Sequence, residues 1–317
     1  MSEDLTRSRA AAVAAIRRCM AGEFYRQFSD PQTQEIDINA DLSMWVDKPE
    51  GRECCGQVAA RDSLYIIKMV ASCLGQTLDK QPFVEGEFPL DGSRFEGIVP
   101  PLVANPVIAL RKKATRVFTL EDYVREGILS RRQHQVLCAQ IMARRNLLVA
   151  GATATGKTTF VNALIAKLVE LCPDDRLALI EDTVELQCTA RNFVQLRTAE
   201  GVGMDSLLQR SLRLSPQRIV VGEVRGPEAL DLIMAWNTGH SGGCGTIHAD
   251  SATDALNRVM ILCSGNERCP RLGLEQVISR AINCVVFIAR HDGQRRIEEV
   301  LEVVPIARGG DFAFRAI

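Results

Sequence analysis

The feature of the 317-residue sequence that most constrains its fold is the segment at residues 151–158, which reads Gly-Ala-Thr-Ala-Thr-Gly-Lys-Thr. It matches the spacing G-x-x-x-x-G-K-[ST] at each required position. An apolar run, Leu147–Val149, precedes it. After it, apolar residues recur at the period of a helix: Val161, Leu164, Ile165 and Leu168. The pattern predicts a buried strand, a tight loop and a helix in direct succession.

Such a loop is suited to holding phosphate. Glycines let the chain wrap so tightly that backbone N–H groups and the helix N-terminus converge on one anion. Lys157 adds a mobile cation for the β and γ oxygens of a nucleotide, and Thr158 offers a hydroxyl to Mg²⁺. A dinucleotide site is disfavoured because the loop lacks G-x-G-x-x-G spacing. The predicted nucleotide-binding residues are Gly151, Ala152, Thr153, Ala154, Thr155, Gly156, Lys157, Thr158 and Thr159.

Two further apolar runs end in acidic residues. Glu181 follows the run at 178–180, and Glu223 follows the run at 218–221 after one glycine. In an open α/β sheet, ligands lie beyond the carboxyl ends of the strands, so both carboxylates are expected near the phosphate loop. Hydrolysis of a nucleoside triphosphate needs a carboxylate that orients or deprotonates water. Pairing with nearby arginines at the strand ends is the alternative role for both residues.

The length and the order of the predicted elements divide the chain in two. Ser130 begins a helix, since Gln133 completes a capping box. Strand-like runs then alternate with helical segments, at 146–150, 177–180, 218–221, 245–248 and 285–289. This alternation predicts an α/β fold with a largely parallel sheet. We expect a smaller α+β domain over residues 1–113 and the phosphate-binding domain over residues 114–317.

The N-terminal part carries shorter signals. Residues 7–28 resemble one amphipathic helix. Apolar residues alternate with polar ones over 35–46, except at 39–43, and this pattern predicts two strands around a turn. A helix is expected from Asp62, as its N-cap, to Gly75. Prolines and glycines between positions 82 and 106 then leave room only for short strands.

Composition excludes several classes of protein. Lys and Arg number 38 against 39 Asp and Glu, so no global field favours nucleic acid or an anionic membrane. The longest apolar stretches fall short of the roughly 18 residues that a membrane span needs. Eleven cysteines, without a signal peptide or a Cys-x-x-Cys pair, indicate a reducing cytosol and disfavour a structural zinc site.

Three segments resemble the Asp box, the Walker B motif and the His box of the secretion traffic ATPases, which drive type II secretion, type IV pili and type IV secretion. They are Ile-Glu-Asp-Thr-Val-Glu-Leu at 180–186, Val-Gly-Glu-Val-Arg-Gly at 221–226, and Asn-Thr-Gly-His at 237–240 with Thr-Ile-His-Ala at 246–249. Residues 229–232 and 235–240 are similar to the TrbB-like ATPases of conjugative transfer. Residues 39–45 and 87–94 resemble parts of the family's N-terminal domain, so the likeness covers nearly the whole chain.

This resemblance implies a RecA-like P-loop ATPase core, with ATP and Mg²⁺ as its ligands. It implies an ATP-hydrolysing motor that powers substrate transfer or pilus assembly in a bacterial type IV secretion or conjugation system. The motor would be a homo-oligomeric ring, expected to be a hexamer, cytoplasmic and peripheral to the inner membrane. Its expected partners are inner-membrane channel proteins and a partner ATPase, with no direct sequence-specific contact with nucleic acid.

The resemblance also implies roles for single residues. Glu181 would activate water, Glu223 would hold the magnesium shell or the same water, and His248 would sense the γ-phosphate. Arg94 and Arg111, in sequence similar to an arginine-bearing N-terminal segment of the family, would reach the nucleotide from the other domain. A guanidinium group is suited to bidentate contact with phosphate.

Other residues of these segments have simpler alternatives. Gly222 stands where many P-loop enzymes have a magnesium-binding aspartate, so coordination of Mg²⁺ through water is expected. His240 can close a turn after Gly239, and Trp45 and Trp236 are expected to pack rather than to stack on bases.

Two other functions remain open: a RecA-like nucleic-acid translocase, and a nucleotide-gated assembly scaffold that scarcely hydrolyses ATP. The neutral charge and the lack of a basic stripe interleaved with aromatic residues weigh against the translocase. Glu181 and Glu223, both present, weigh against the scaffold.

Overall fold

The computed structural model describes residues 2–20, 22–48, 50–79, 81–113, 117–199, 201–270, 272–291, 294–307 and 309–317, and the side chains from residue 10 onward within these ranges. The chain has a mixed α/β fold. It divides into two compact units, Met1–Thr115 and Arg116–Ile317. No helix in the described ranges is both long enough and apolar enough to span a bilayer.

The first unit is an antiparallel sheet with helices. The sheet is six-stranded, in the order β3-β2-β1-β6-β5-β4. Apolar residues of α1, α2 and α3 share one core cluster with residues of the sheet. The elements are α1 (Ser2–Cys19), α2 (Glu23–Ser29), β1 (Glu35–Ile38), β2 (Ser43–Lys48), β3 (Gly51–Gln57), α3 (Ala60–Leu74), β4 (Phe83–Glu87), β5 (Arg94–Ile98) and β6 (Val107–Arg111).

Several predictions for this unit are confirmed. The segment at 35–46 forms the antiparallel pair β1 and β2, and short strands follow residue 82. Gly75 ends α3 in the left-handed conformation, with φ of 71°. The start of α3 was predicted wrongly, because the helix begins at Ala60 and Asp62 lies in its first turn. There the carboxylate faces the positive end of the helix dipole without acting as the cap.

Two other features of this unit differ from the prediction. The single helix over residues 7–28 is wrong, since α1 and α2 are separate. Gly22, with φ of 69°, lies between them in a conformation that a right-handed helix cannot include. Strand β3 was not predicted because apolar and polar residues do not alternate in its sequence. It is an edge strand, exposed except for half-buried Cys55, and its pairing with β2 shifts at Met44 and Trp45.

The second unit is built on an eight-stranded sheet in the order β14-β13-β12-β7-β11-β10-β8-β9. The six strands from β12 to β9 in this order are parallel, while β13 and β14 continue the sheet in antiparallel fashion. The elements are α4 (Leu120–Arg125), α5 (Arg131–Met142), β7 (Leu147–Gly151), α6 (Lys157–Leu171), β8 (Leu177–Glu181), β9 (Phe193–Arg197), α7 (Met204–Ser211), a 3₁₀ turn (Leu212–Leu214), β10 (Arg218–Val221), α8 (Ala229–Asn237), β11 (Cys244–His248), α9 (Ala252–Ser264), α10 (Leu274–Ala281), β12 (Cys284–His291), β13 (Gln294–Val304) and β14 (Ala313–Ala316).

Strand β7 lies in the middle of the parallel region, between β11 and β12, and each of its five residues is buried. A strand covered on both faces needs a continuous apolar run instead of an alternating one, which explains its sequence. The predicted apolar stripe of α6 is buried as well. The five predicted parallel strands correspond to β7, β8, β10, β11 and β12, and the prediction of a largely parallel sheet is confirmed.

The predicted capping box at α5 is confirmed: the Ser130 hydroxyl accepts from the backbone N–H of Gln133, whose side chain accepts from the backbone of Ser130. The prediction missed β9, β13 and β14. These strands lie towards the two edges of the sheet. More of their residues are exposed there, so their sequences contain fewer of the apolar runs that predict a strand.

Buried polar groups hold the amino-terminal end of the parallel sheet. Arg218, the first residue of β10, is fully buried. Its Nε donates to Asp175 Oδ2 at 2.6 Å, and one terminal nitrogen donates to the carbonyls of Ile141 and Gly242 at 3.1 and 3.0 Å. Arg144 pairs with the other oxygen of Asp175. This network ties β10 to the segments before β7 and β11, at the end of the sheet opposite to the phosphate loop.

Replacing Asp175 with Asn keeps the shape of the side chain and removes its charge. Arg218 cannot give up its proton, so an uncompensated charge would remain in the interior. We expect the free energy of unfolding to fall by about 3–5 kcal/mol, as measured by urea denaturation. The control is Arg315→Gln, which breaks an exposed pair with Glu302 and should change stability by less than about 1 kcal/mol. An effect of Asp175→Asn no larger than that of the control would contradict the role of the network.

Candidate active site

The predicted phosphate loop connects β7 to α6. Gly156, with φ of 96°, directly precedes the helix, and Ala154, with φ of 61°, also has a left-handed conformation. The Thr155 hydroxyl donates to the carbonyl of Ala152 at 2.9 Å and closes the loop on itself. No side chain caps the N-terminus of α6. The first backbone N–H groups of the helix therefore face the loop without a side-chain acceptor, which is the arrangement that favours an anion.

Glycine is required at both ends of this loop. A Cβ atom on Gly151 would lie 2.3 Å from the carbonyl oxygen of Ile288 on β12, a backbone atom that cannot move aside easily. A Cβ atom on Gly156 would lie 3.2 Å from Nε of Arg295, and its φ disfavours other residues. The two glycines of the motif thus allow the loop to lie against β12 and β13.

The other loop residues differ in exposure. Ala152, Thr153 and Ala154 are exposed, whereas Thr158 and Thr159 are half-buried in the first turn of α6. Lys157 is 7% exposed. The exposed backbone of residues 152–154 and the Thr158 hydroxyl are the parts of the loop that a ligand can reach.

The ammonium group of Lys157 lies over its own loop. Nζ donates to the carbonyls of Gly151 and Ala152, both at 2.9 Å, and lies 3.2 Å from Nδ1 of His248 at the end of β11. The structure therefore brings together two residues that lie 91 positions apart in the sequence.

His248 connects Lys157 to Glu223. Its Nε2 lies 2.6 Å from Oε1 of Glu223. Because an ammonium group can only donate, Nδ1 must accept and Nε2 carries the hydrogen of the neutral ring. Burial and the positive charge of Lys157 lower the pKa of His248, against the opposing effect of Glu223. The imidazole is therefore neutral at pH 7 and can report on charge placed next to Lys157.

Glu223 follows β10 and its side chain is 16% exposed. One oxygen, Oε2, accepts from Nε of Arg225 at 2.6 Å. The other, Oε1, is buried and lies 2.6 Å from Nε2 of His248, and no further donor reaches it among the described residues. A buried carboxylate oxygen with a free lone pair is a suitable acceptor for a water molecule of a magnesium shell. The donor set of Glu223 and the Thr158 hydroxyl thus fits the hard cation that the sequence implies.

Glu181, at the end of β8, is placed differently. It is 2% exposed. Its Oε2 accepts from the backbone N–H groups of Glu185 and Leu186, both at 2.8 Å, and Oε1 accepts from Gln195 Nε2 at 2.5 Å. Burial raises the pKa of Glu181, and these hydrogen bonds oppose the shift. Both oxygens are already used inside the protein, which favours a role in holding the turn after β8 over the water-activating role that the resemblance implies.

The packing around Glu181 also explains the glycine in the Walker B segment. A Cβ atom on Gly222 would lie 2.9 Å from Cβ of Glu181. The Gly222 carbonyl accepts from the buried Thr246 hydroxyl at 2.6 Å. Because the neighbouring strand fills the space, an aspartate at position 222 would not fit without a shift, in agreement with a metal held through water.

Arg94 and Arg111 lie in the first unit. They are opposite each other on the neighbouring strands β5 and β6, and both are exposed. The structure thus brings these two arginines together. Their predicted contact with the nucleotide stays a prediction.

Two residues of the His-box segment have packing roles. His240 donates from Nδ1 to the carbonyl of Pro216 at 2.8 Å, so it holds a loop. Trp236 is 3% exposed and donates to the carbonyl of Ile219, as expected of a packing residue. Sequence reasoning missed Gln195 and Arg295 because β9 and β13, the strands that carry them, were not predicted.

Comparisons with known proteins agree with the fold. The family described as "Type II/IV secretion system protein" matches residues 76–300. The chain is 38% identical to a probable conjugal transfer protein TrbB of Sinorhizobium fredii, over 96% of this chain and 93% of that protein. It is 37% identical to the conjugal transfer protein TrbB of Rhizobium radiobacter, over 94% and 92% of the two chains.

Solved structures share the fold at lower identity. The VirB11 ATPase of the Brucella suis type IV secretion system is 24% identical, with a TM-score of 0.51 over 93% of this chain and 96% of that one. The pilus retraction motor PilT, solved with bound ADP, is 19% identical, with a TM-score of 0.67 over 90% and 83%. Sequence and fold lead to one conclusion: the chain belongs to the family of type II/IV secretion system proteins.

Proposed function

We propose that this chain is an ATPase that binds ATP and Mg²⁺ at the loop Gly151–Thr159 of a RecA-like P-loop core. The observation that carries the proposal is the convergence of Lys157, His248 and Glu223 beside the uncapped N-terminus of α6. A packing role alone does not account for the buried Oε1 of Glu223, which has no donor beside it other than His248 in the part of the chain that the structure describes.

The order of the strands supports this core. Strands β8, β10, β11 and β7 are parallel neighbours, so their carboxyl ends lie along one edge of the sheet. That edge carries Glu181, Glu223, His248 and the phosphate loop, at the location where open α/β sheets bind ligands. One nucleotide placed on the loop would therefore have its terminal phosphate near β11 and β10.

The chemistry follows from the donors and acceptors at this edge. Backbone N–H groups of the loop and of the first turn of α6 bind the β-phosphate, and Lys157 turns from the carbonyls of its own loop to the phosphate oxygens. Thr158 and Glu223 would hold Mg²⁺, Glu223 through water, and the bound ion would offset the negative charge of the phosphates.

Glu223 also orients the attacking water through its carboxylate, which lies at this edge beside His248. His248 contacts both Lys157 and Glu223, so a change of charge at the γ-phosphate alters its environment first. Glu181 is a positioning residue: it fixes the turn that carries Asp182, whose carboxylate lies 3.5 Å from Arg225. Arg225 in turn holds Glu223.

The biological role is inferred from the family and its members. We infer that the hydrolysis drives transfer through a type IV secretion or conjugation system; the TrbB relatives are named conjugal transfer proteins. The motor acts as a homo-oligomeric ring, a hexamer, at the cytoplasmic face of the inner membrane. Channel proteins and a partner ATPase are its partners, and Arg94 and Arg111 add cationic groups towards the nucleotide.

Lys157→Ala is expected to remove Mg²⁺-dependent ATP hydrolysis, because the phosphate oxygens lose their mobile cation. We expect phosphate release to fall by roughly 100-fold or more, measured on protein with unchanged melting temperature. Lys68→Ala, at an exposed position of α3, is the matched control and should hydrolyse ATP normally. Phosphate release at the wild-type rate by Lys157→Ala would refute the active-site assignment. Wild-type protein that binds ATP without turnover would instead favour the nucleotide-gated scaffold.

Glu223→Gln and Glu181→Gln separate water activation from positioning. Glu223→Gln should keep ATP binding and the melting temperature while turnover falls by roughly 100-fold, since a carboxylate that interacts with the water is lost. Glu181→Gln places an amide NH₂ among groups that are themselves donors, so it should lower stability by about 1–3 kcal/mol and leave part of the turnover. Turnover, ATP affinity and melting temperature are measured on each preparation. A stable Glu181→Gln variant without turnover would instead make Glu181 the water-activating carboxylate.

A further inference from the structure

Arg295, on β13, lies directly against the phosphate loop. Measured from the position that a Cβ atom of Gly156 would occupy, its Nε, Cδ and Cζ atoms lie at 3.2, 3.4 and 3.8 Å. These are the three nearest atoms to that position, and all belong to one side chain. The guanidinium group is therefore placed at the junction of the loop and α6.

The strand that carries Arg295 is fixed in this place. The backbone N–H of Ile297 donates to the carbonyl of Ile128 at 2.8 Å, and its carbonyl accepts from Gln133 Nε2 at 3.1 Å. Ile297 is 2% exposed and belongs to the same core cluster as Phe160 of α6. Residues two apart on a strand share a face, so Arg295 lies on the α6 side of β13. Its neighbour Arg296 lies on the opposite face.

The charge of Arg295 is not neutralised within the described residues. The side chain is exposed, and no hydrogen bond or ion pair joins it to another described residue. Arg290 is its direct partner across the β12–β13 pair, which places two positive residues opposite each other. Burial raises the pKa of Tyr123 on α4, and the charge of Arg295 opposes this shift; the Tyr123 ring packs against Phe160 of α6.

The position in the sheet indicates which part of a nucleotide Arg295 can reach. In the order β13-β12-β7-β11-β10, Arg295 lies on one side of β7, whereas His248 and Glu223 lie on the other. A terminal phosphate near His248 and Glu223 would leave the inner phosphates of the chain on the Arg295 side. These inner phosphates are common to ATP and ADP.

We propose that Arg295 binds the inner phosphates of the nucleotide from the side of β13, as a further residue of the phosphate site. This inference rests on the proposed function, because it needs a nucleotide on the loop. The guanidinium fork matches phosphate oxygens and stays charged at any physiological pH. Since it contacts phosphates that remain after hydrolysis, Arg295 strengthens the binding of ATP and ADP alike.

The test is Arg295→Met, which keeps an unbranched apolar side chain against the loop and removes the guanidinium group. Arg296→Met, which makes the same change on the opposite face of β13, is the matched control. Dissociation constants for ATP and for ADP are measured by titration calorimetry with Mg²⁺, together with the melting temperature. We expect Arg295→Met to bind both nucleotides about tenfold more weakly at unchanged melting temperature, since hydrogen bonds to charged groups are of this strength. Arg296→Met should bind as wild type does.

Three outcomes would overturn the inference: unchanged affinity in Arg295→Met, an equal loss in Arg296→Met, or a loss for ATP without a loss for ADP. If Arg295→Met melts at a lower temperature, Arg295→Gln is measured in its place, with the same expected loss for both nucleotides. The wild-type protein keeps the two proposals apart. Wild type that fails to bind ATP and ADP contradicts the proposed function itself, whereas wild type that binds both while Arg295→Met binds equally well contradicts only the role of Arg295.

Discussion

The close approach of strands β7 and β12 is the constraint on which the site depends. β7 is buried along its whole length between two parallel neighbours. At its last residue, Gly151, the carbonyl of Ile288 occupies the space that a side chain would need. The chain can leave the sheet here only through a residue without a Cβ atom. The tight loop, the left-handed Gly156 and the start of α6 without a side-chain cap come directly after this exit.

Because the strands next to β7 are parallel, their carboxyl ends meet at the same edge as the loop. This is why His248, 91 residues away, reaches Lys157, and why Glu223 reaches His248. The opposite edge is held by the fully buried Arg218 and its partner Asp175. Charged groups are thus buried at both ends of the sheet, but their hydrogen-bond and ion-pair partners differ. They are paired and saturated at the amino-terminal end, whereas at the carboxyl end one oxygen of Glu223 has only the His248 ring beside it among the described residues.

Much of the second unit was predictable, since its signals are local. The strand before the loop, the stripe on α6 and the capping box of Ser130 each depend on residues within about ten positions, and each is confirmed. Strand β13 was not predicted although it forms part of the site. It lies outside the parallel region, with exposed residues at its start, and it owes its place to pairing with β12 and to contacts with the segment near Ile128. Pairing partners distant in the chain leave no periodic signal of their own.

The sequence by itself determined the phosphate loop, the parallel α/β core and the residue types of the site, because glycine spacing, apolar runs and capping patterns act over short distances. Several whole segments of the sequence also resemble those of the secretion ATPases. Only the tertiary structure decided how the two carboxylates differ. Glu181 and Glu223 each follow a strand, yet backbone donors from a later turn and Gln195 saturate the first, while Glu223 faces Arg225 and His248 at the site. Hydrogen-bond partners brought from other strands set that difference, and no pattern within either segment contains them.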